Sequence, residues 1–144
     1  LRFFFIVKIS YSKQGELKLK TVFTTEAPVP AGHYSQAIVH NGLVFVSGLL
    51  PINPETGRKK AGTIEEQTRQ VLNNLAAILA ASGSSLEKVL KVTVYISDIA
   101  LWGQVNEVYA EVFGSHKPAR AIVPTRELHY GFQIEVEAIA TVDE

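Results

Sequence analysis

Apolar residues recur in two rhythms along this chain, and the rhythms alternate. In "SQAIVHNGLVFVSG" two apolar runs flank His40-Asn41-Gly42, and Asn-Gly between such runs predicts a β-hairpin. Thr63 followed by Glu66 fits a capping box at the start of a helix. Ile64, Thr68, Val71, Leu72, Leu75, Ile78 and Leu79 then recur at helical spacing, and Gly83 is placed to end that helix. "VLKVTVYIS" changes to a period of two. It sets Leu90, Val92, Val94 and Ile96 against Lys91, Thr93, Tyr95 and Ser97, a strand with one dry face. Asp98 can cap a second helix that gathers Val105, Val108, Tyr109, Val112 and Phe113 on one side and stops at Gly114. Ala121-Ile122-Val123 reads as a further strand. The last one sets Ile134 and Val136 against Gln133, Glu135 and Glu137.

The order is therefore hairpin, helix, strand, helix, strand, strand. This predicts an α+β domain: a mixed β-sheet with two helices packed on one face, because two helices cannot cover both. The other face keeps apolar residues and needs a cover. Self-association in a closed ring is the economical one, and it would put a site at a subunit boundary. "TEAPVPAGHY" and "PINPETGRKK" are turn-rich loops. Residues 1–20 read as an N-terminal extension of uncertain status, and 21–144 as the domain. The run Phe3–Val7 is too short for a signal sequence and suits an extra edge strand.

Composition narrows the function. The chain has 144 residues, which suits one core. Fourteen Lys plus Arg balance fourteen Asp plus Glu, so there is no broad electrostatic footprint for nucleic acid. No cysteine is present, which removes disulfides, thiol nucleophiles and thiolate metal sites. The four histidines show no metal-site spacing. No stretch approaches the length needed to span a bilayer. A cytoplasmic protein is expected.

"HKPARAIV" holds the most pointed chemical signal. Arg120 stands at the start of an apolar strand, and a guanidinium cannot shed its charge there. It either pairs with a surface carboxylate or waits for an anion. By spacing alone the first arrangement is the commoner. Glu135 and Glu137 share one face of the last strand, and periodicity does not choose between them.

The stretches "GHYSQAIVHNGLVFVSG", "TRQVLNNLAAILAASGSSLEKVLKVTVYISD", "VNEVYAEVFG", "PARAIV" and "IEVEAIA" resemble, in order and spacing, the Rid family, also called YjgF/RidA. The resemblance covers residues 21–144. It implies a fold similar to chorismate mutase of the trimeric type, a homotrimer with intersubunit active sites, and no cofactor or metal. It implies hydrolysis of reactive 2-imino and 2-enamino acids, such as 2-aminoacrylate, to 2-keto acids and ammonia. The family's "PAR" arginine falls on Arg120, the grip for the substrate carboxylate, which a planar guanidinium binds through two parallel hydrogen bonds. Glu135 matches the first glutamate of the family's "E-I-E-A" strand and is placed to activate water. Glu137 is left a solvated outward role. Tyr34 matches a tyrosine that closes the cleft, and Ser47-Gly48 a substrate-facing turn whose glycine N–H can bind an oxygen. Asn106 fits an asparagine near the pocket, expected to satisfy backbone groups. The N–H of Ile122 stands where many members have cysteine.

The chain departs from the pattern at His33, Leu49 and Ile122 and in the loop "PTRELHYGF". His129, Tyr130 and Phe132 of that loop are candidates to line the cleft. Three readings stay open: a deaminase, for this or a different pathway intermediate; a non-catalytic trimer that binds small carboxylates or keto acids; and an RNA-acting protein. Neutral charge and the lack of a basic, aromatic-interleaved stripe oppose the last.

Overall fold

The computed structural model describes residues 8–9, 19–57, 59 and 61–143. Seven strands form one mixed sheet: β1 (Lys8–Ile9), β2 (Lys20–Val22), β3 (Ala37–His40), β4 (Leu43–Leu49), β5 (Val89–Ile96), β6 (Ala119–Pro124) and β7 (Ile134–Thr141). Their order across the sheet is β1-β2-β3-β4-β7-β5-β6. Among the described residues only β5 and β6 pair in parallel; the remaining neighbours are antiparallel. Helices α1 (Ile64–Ala81) and α2 (Trp102–Phe113) pack against each other, and α1 lies across β4 and β7.

Local chemistry sets the element ends. Asn41 and Gly42 both take positive φ, 50° and 75°, as a two-residue hairpin turn requires. Thr63 and Glu66 close a reciprocal capping box. Beyond α1, Gly83 donates to the Ala80 carbonyl and Ser84 to that of Leu79, with Gly83 at φ 81°. That pair of bonds is the Schellman termination. Asp98 accepts from the Ala100 N–H and starts the short 3₁₀ turn that leads into α2.

The core lies between sheet and helices. Val71, Leu72, Leu75, Ile78 and Leu79 of α1 are buried there with Val44, Val92, Val94 and Val136. Burial of each such side chain contributes about 1.5–3 kcal/mol. The opposite, open face carries Phe45, which is 43% exposed, together with the half-buried Tyr95, Glu135 and Glu137.

Two expectations need correction. Leu90 does not join the dry face of β5 and is exposed. The pairing with β7 jumps from Val89↔Ala140 to Lys91↔Ile139, and the bulge turns Leu90 outward while Val89 fills the core. Phe132 is buried in the fold and takes no part in lining the cleft. Of the N-terminal extension, Lys8–Ile9 pairs with β2 and lengthens one sheet edge; the rest, up to residue 18, lies outside the described residues.

Candidate functional site

The site grows from an irregularity in β4. Its pairing with β7 steps from Val46↔Ala138 to Leu49↔Val136, three residues on one strand against two on the other. This bulge re-aims Ser47 and Gly48 beside the two glutamates of β7. Gly48 leaves room that Glu135 fills: a Cβ at position 48 would lie 2.4 Å from Glu135 Oε1. The Ser47 hydroxyl donates to the Ser35 carbonyl at 2.6 Å, and the Ser47 N–H to the Gln36 carbonyl at 3.0 Å. Ser47 therefore ties down the loop that presents Tyr34. Tyr34 is 52% exposed, and its hydroxyl accepts from the Ala31 N–H at 3.3 Å.

Sequence reasoning missed Gln36, which anchors the same loop from inside. The side chain is buried; it accepts from the Thr24 N–H at 2.7 Å and donates to the carbonyls of Thr24 and Pro28 at 3.0 and 2.9 Å. Its one advance signal was a polar amide at the threshold of an apolar strand.

A cleft of about 610 Å³ opens over these groups. Tyr34, Ser47, Gly48, Glu135 and Glu137 line it, with His129 and Tyr130 from the loop before β7. His33 is exposed and outside the lining, whereas Leu49 is part of it. Tyr130 sits at φ 61° and receives the Lys59 ammonium over its ring, 4.0 Å from the centre. Burial pushes the Glu135 carboxyl above the ordinary carboxylate value; the nearby His129 opposes the shift and the Glu137 charge adds to it. Glu137 is not the solvated residue expected. It faces the cleft and accepts a 2.7 Å hydrogen bond from the Tyr95 hydroxyl.

Arg120 lies elsewhere. On β6 it pairs in register with Val92, so it points to the helix side of the sheet. Its Nη1 donates to Asn106 Oδ1 at 3.0 Å, and its guanidinium carbon lies 4.6 Å from the Tyr109 ring centre and 5.9 Å from that of Trp102. Asn106 thus serves the guanidinium and not the backbone groups expected. Burial raises the Tyr109 phenol to about 12, against the pull of the Arg120 charge. Ile122, two residues along β6, is half-buried against the core. The expected site residues therefore fall into two separate groups within one chain. Tyr34, Ser47, Gly48 and Glu135 meet in the cleft, while Arg120, Asn106 and Ile122 gather at the far sheet edge. Among the described residues no group of three His, Cys, Asp or Glu side chains could hold a metal ion. No described helix is long and apolar enough to cross a membrane.

Fold and cleft define a small α+β protein of one mixed sheet and two helices, with an acid-lined cleft on a sheet bulge. The chain belongs to the family described as endoribonuclease L-PSP, the YjgF/Rid family, whose profile matches residues 24–142. It is 44% identical over 126 residues to Reactive Intermediate Deaminase A, chloroplastic, of Arabidopsis thaliana, covering 88% of this chain and 67% of that protein. It is 40% identical over 121 residues to the 2-iminobutanoate/2-iminopropanoate deaminase of Rattus norvegicus, covering 84% and 88%. A solved structure of a putative endoribonuclease from Thermotoga maritima superposes with a TM-score of 0.82 at 49% identity, covering 86% of this chain and 98% of that one.

Proposed function

We propose that this protein hydrolyses reactive 2-imino acids and their enamine tautomers to 2-keto acids and ammonia. The observation that carries the reading is the Glu135 carboxylate, seated in the space Gly48 leaves and raised in pKa inside the cleft. A carboxylate so placed takes a proton from water more readily than an exposed one. Two relatives that cover most of this chain bear deaminase names.

Among the described residues the cleft lining contains no lysine or arginine, although the Lys59 ammonium stands over the Tyr130 ring. Arg120 supplies a counter-charge for an anionic substrate if a second copy docks its β6 edge over the cleft. A homotrimer closes that arrangement three times and covers the open face. In the joined site Arg120 grips the substrate carboxylate, with Asn106 and Tyr109 steadying the guanidinium. The N–H groups of Gly48 and Ile122 orient the substrate, and Tyr34 closes over it. Glu135 draws the proton from a water that attacks the imine carbon, then protonates the amine of the carbinolamine, and ammonia departs. Imines hydrolyse readily in water, so positioning supplies most of the acceleration needed. The setting we propose is the cytoplasm.

The test is a coupled assay. A dehydratase or amino-acid oxidase generates imines from several amino acids, and keto-acid release is followed with and without the protein. Acceleration by the parent that Arg120→Ala abolishes is the expected result. Tight keto-acid binding without turnover would establish a carboxylate-binding trimer instead.

A further inference from the structure

Glu135 and Glu137 project from the same face of β7 into one cleft, yet their surroundings differ. β5 sets Tyr95 opposite Glu135 in the antiparallel register, but the phenol reaches along the diagonal and donates to Glu137 at 2.7 Å. Glu137 also borders a second cavity of about 200 Å³, which it shares with Lys91 and Thr93 of β5. Glu135 has no hydrogen-bond partner among the described residues. Among the described residues the titratable groups around it are Glu137 on its own strand, Tyr95 on β5, His129 and Tyr130 from the preceding loop, Tyr34, and Lys59, whose ammonium stands over the Tyr130 ring.

We propose that Tyr95 is a positioning residue acting through Glu137: its hydroxyl holds Glu137 as the standing carboxylate and so assigns the reaction's mobile proton to Glu135. The inference rests on the deaminase reading of the cleft and deepens it. Two neighbouring carboxylates titrate as a pair, and the one that accepts a hydrogen bond is favoured in its charged form. Burial raises the Glu135 pKa, His129 opposes it and the Glu137 charge adds to it, while the hydrogen bond to Glu137, then burial, then the Glu137 and Glu135 charges raise that of Tyr95.

Imine hydrolysis uses one proton several times. The substrate enters as the protonated imine, C=NH₂⁺: water's oxygen bonds to its carbon, the C=N electron pair moves to nitrogen, and Glu135 takes the water proton. Glu135 passes that proton to the amine nitrogen. The C–N bond breaks, the hydroxyl oxygen forms C=O, and its proton returns to Glu135. Ammonia then carries the proton away as ammonium. Each transfer passes through Glu135, so a proton resting on Glu137 is out of place. A purely structural Tyr95 would fasten β5 to β7 and leave the titration of the glutamates alone.

The experiment compares the parent with Tyr95→Phe, Glu137→Gln and the double variant, all as full chains. It reads kcat and KM against pH, and the side-chain carboxyl carbons of Glu135 and Glu137 by ¹³C NMR titration. In Glu137→Gln the Glu135 midpoint and the acid limb of kcat move to lower pH. In Tyr95→Phe the Glu137 midpoint rises and the Glu135 titration broadens toward lower pH. There kcat falls about two- to tenfold while KM holds. Tyr95→Phe adds little to Glu137→Gln, because Tyr95 acts through Glu137. Unmoved glutamate titrations in Tyr95→Phe, or a parent in which Glu137 titrates above Glu135, would overturn the proposal. The NMR titration needs no turnover. A parent inactive on every imine removes the deaminase reading, and the carboxyl titrations still decide the proton assignment.

Discussion

Gly48→Ala separates the site from the scaffold. The added Cβ would meet Glu135 Oε1 at 2.4 Å, whereas ordinary contact begins at 3.4 Å, so the carboxylate must retreat by about 1 Å. Among the described residues beyond its chain neighbours, the Glu135 side chain is the nearest to the new methyl group, and that side chain is half-buried and can swing. Gly48 has no left-handed φ, so alanine takes its backbone without strain. Loss of unfolded-state freedom then stabilises by about 0.4–1 kcal/mol. An off-rotamer Glu135 costs about 0.5–1.5 kcal/mol, so the net change is near zero. Activity does not cancel in this way. A misplacement of about 1 Å at a reacting group costs about 100-fold. The coupled imine assay on Gly48→Ala should therefore show kcat/KM down about 100-fold, with a thermal midpoint within a few degrees of the parent. Parental kcat/KM in a folded Gly48→Ala would refute the placement of Glu135 at the reacting atoms.

If the proposed trimer forms, each joined site would draw its arginine and glutamate from different chains, so Arg120→Ala and Glu135→Gln, each inactive alone, should regain about a quarter of parental activity when co-refolded at equal amounts; no recovery in mixed trimers would place both groups in one chain's site. The folded-state pKa of Glu135 lies above the ordinary 4.5, so as pH rises the unfolded chain releases this proton first and Glu135 subtracts stability from that point upward. Glu135→Gln should accordingly melt higher than the parent at neutral pH and converge with it below about pH 4 in calorimetric scans. Thr63→Ala removes the α1 capping box and should cost about 1 kcal/mol in a denaturant titration with an unchanged slope.

The elements most legible in the sequence were those specified by neighbours a few residues apart. Thr63 with Glu66, Gly83 and Asn41-Gly42 each act on backbone groups within four residues and appear where their spacing put them, whereas Asp98 caps the short 3₁₀ turn before α2 and not α2 itself. Alternation along β7 also reads directly into burial, since no bulge interrupts Ile134–Thr141 on its own strand. Leu90 failed because a bulge is a property of two strands in register, and one strand's pattern does not contain its partner. Glu137 and Glu135 were indistinguishable by period because the difference between them is a phenol on β5, 42 residues away in the chain. The role of Gln36 was hidden for the same reason: its partners, Thr24 and Pro28, are met only once the loop has folded back.

The separation of Arg120 from Glu135 follows from sheet geometry. Side chains on a strand alternate between faces, so the face of Arg120 is set once Val92, its register partner, is buried under the helices. The face of Glu135 is set in the same way, oppositely, by Ile134 and Val136. No rotamer carries a side chain through a sheet whose core is closed on the helix side. Among the described residues the cleft is lined by two glutamates and no lysine or arginine, and the β6 edge holds Arg120, steadied by Asn106 and Tyr109, without a carboxylate among its hydrogen bonds. Docking of β6 from one copy over the cleft of the next would join complementary half-sites and cover Phe45 in the same act. In that arrangement assembly and chemistry share one surface, and substitutions at the open face should weaken both together.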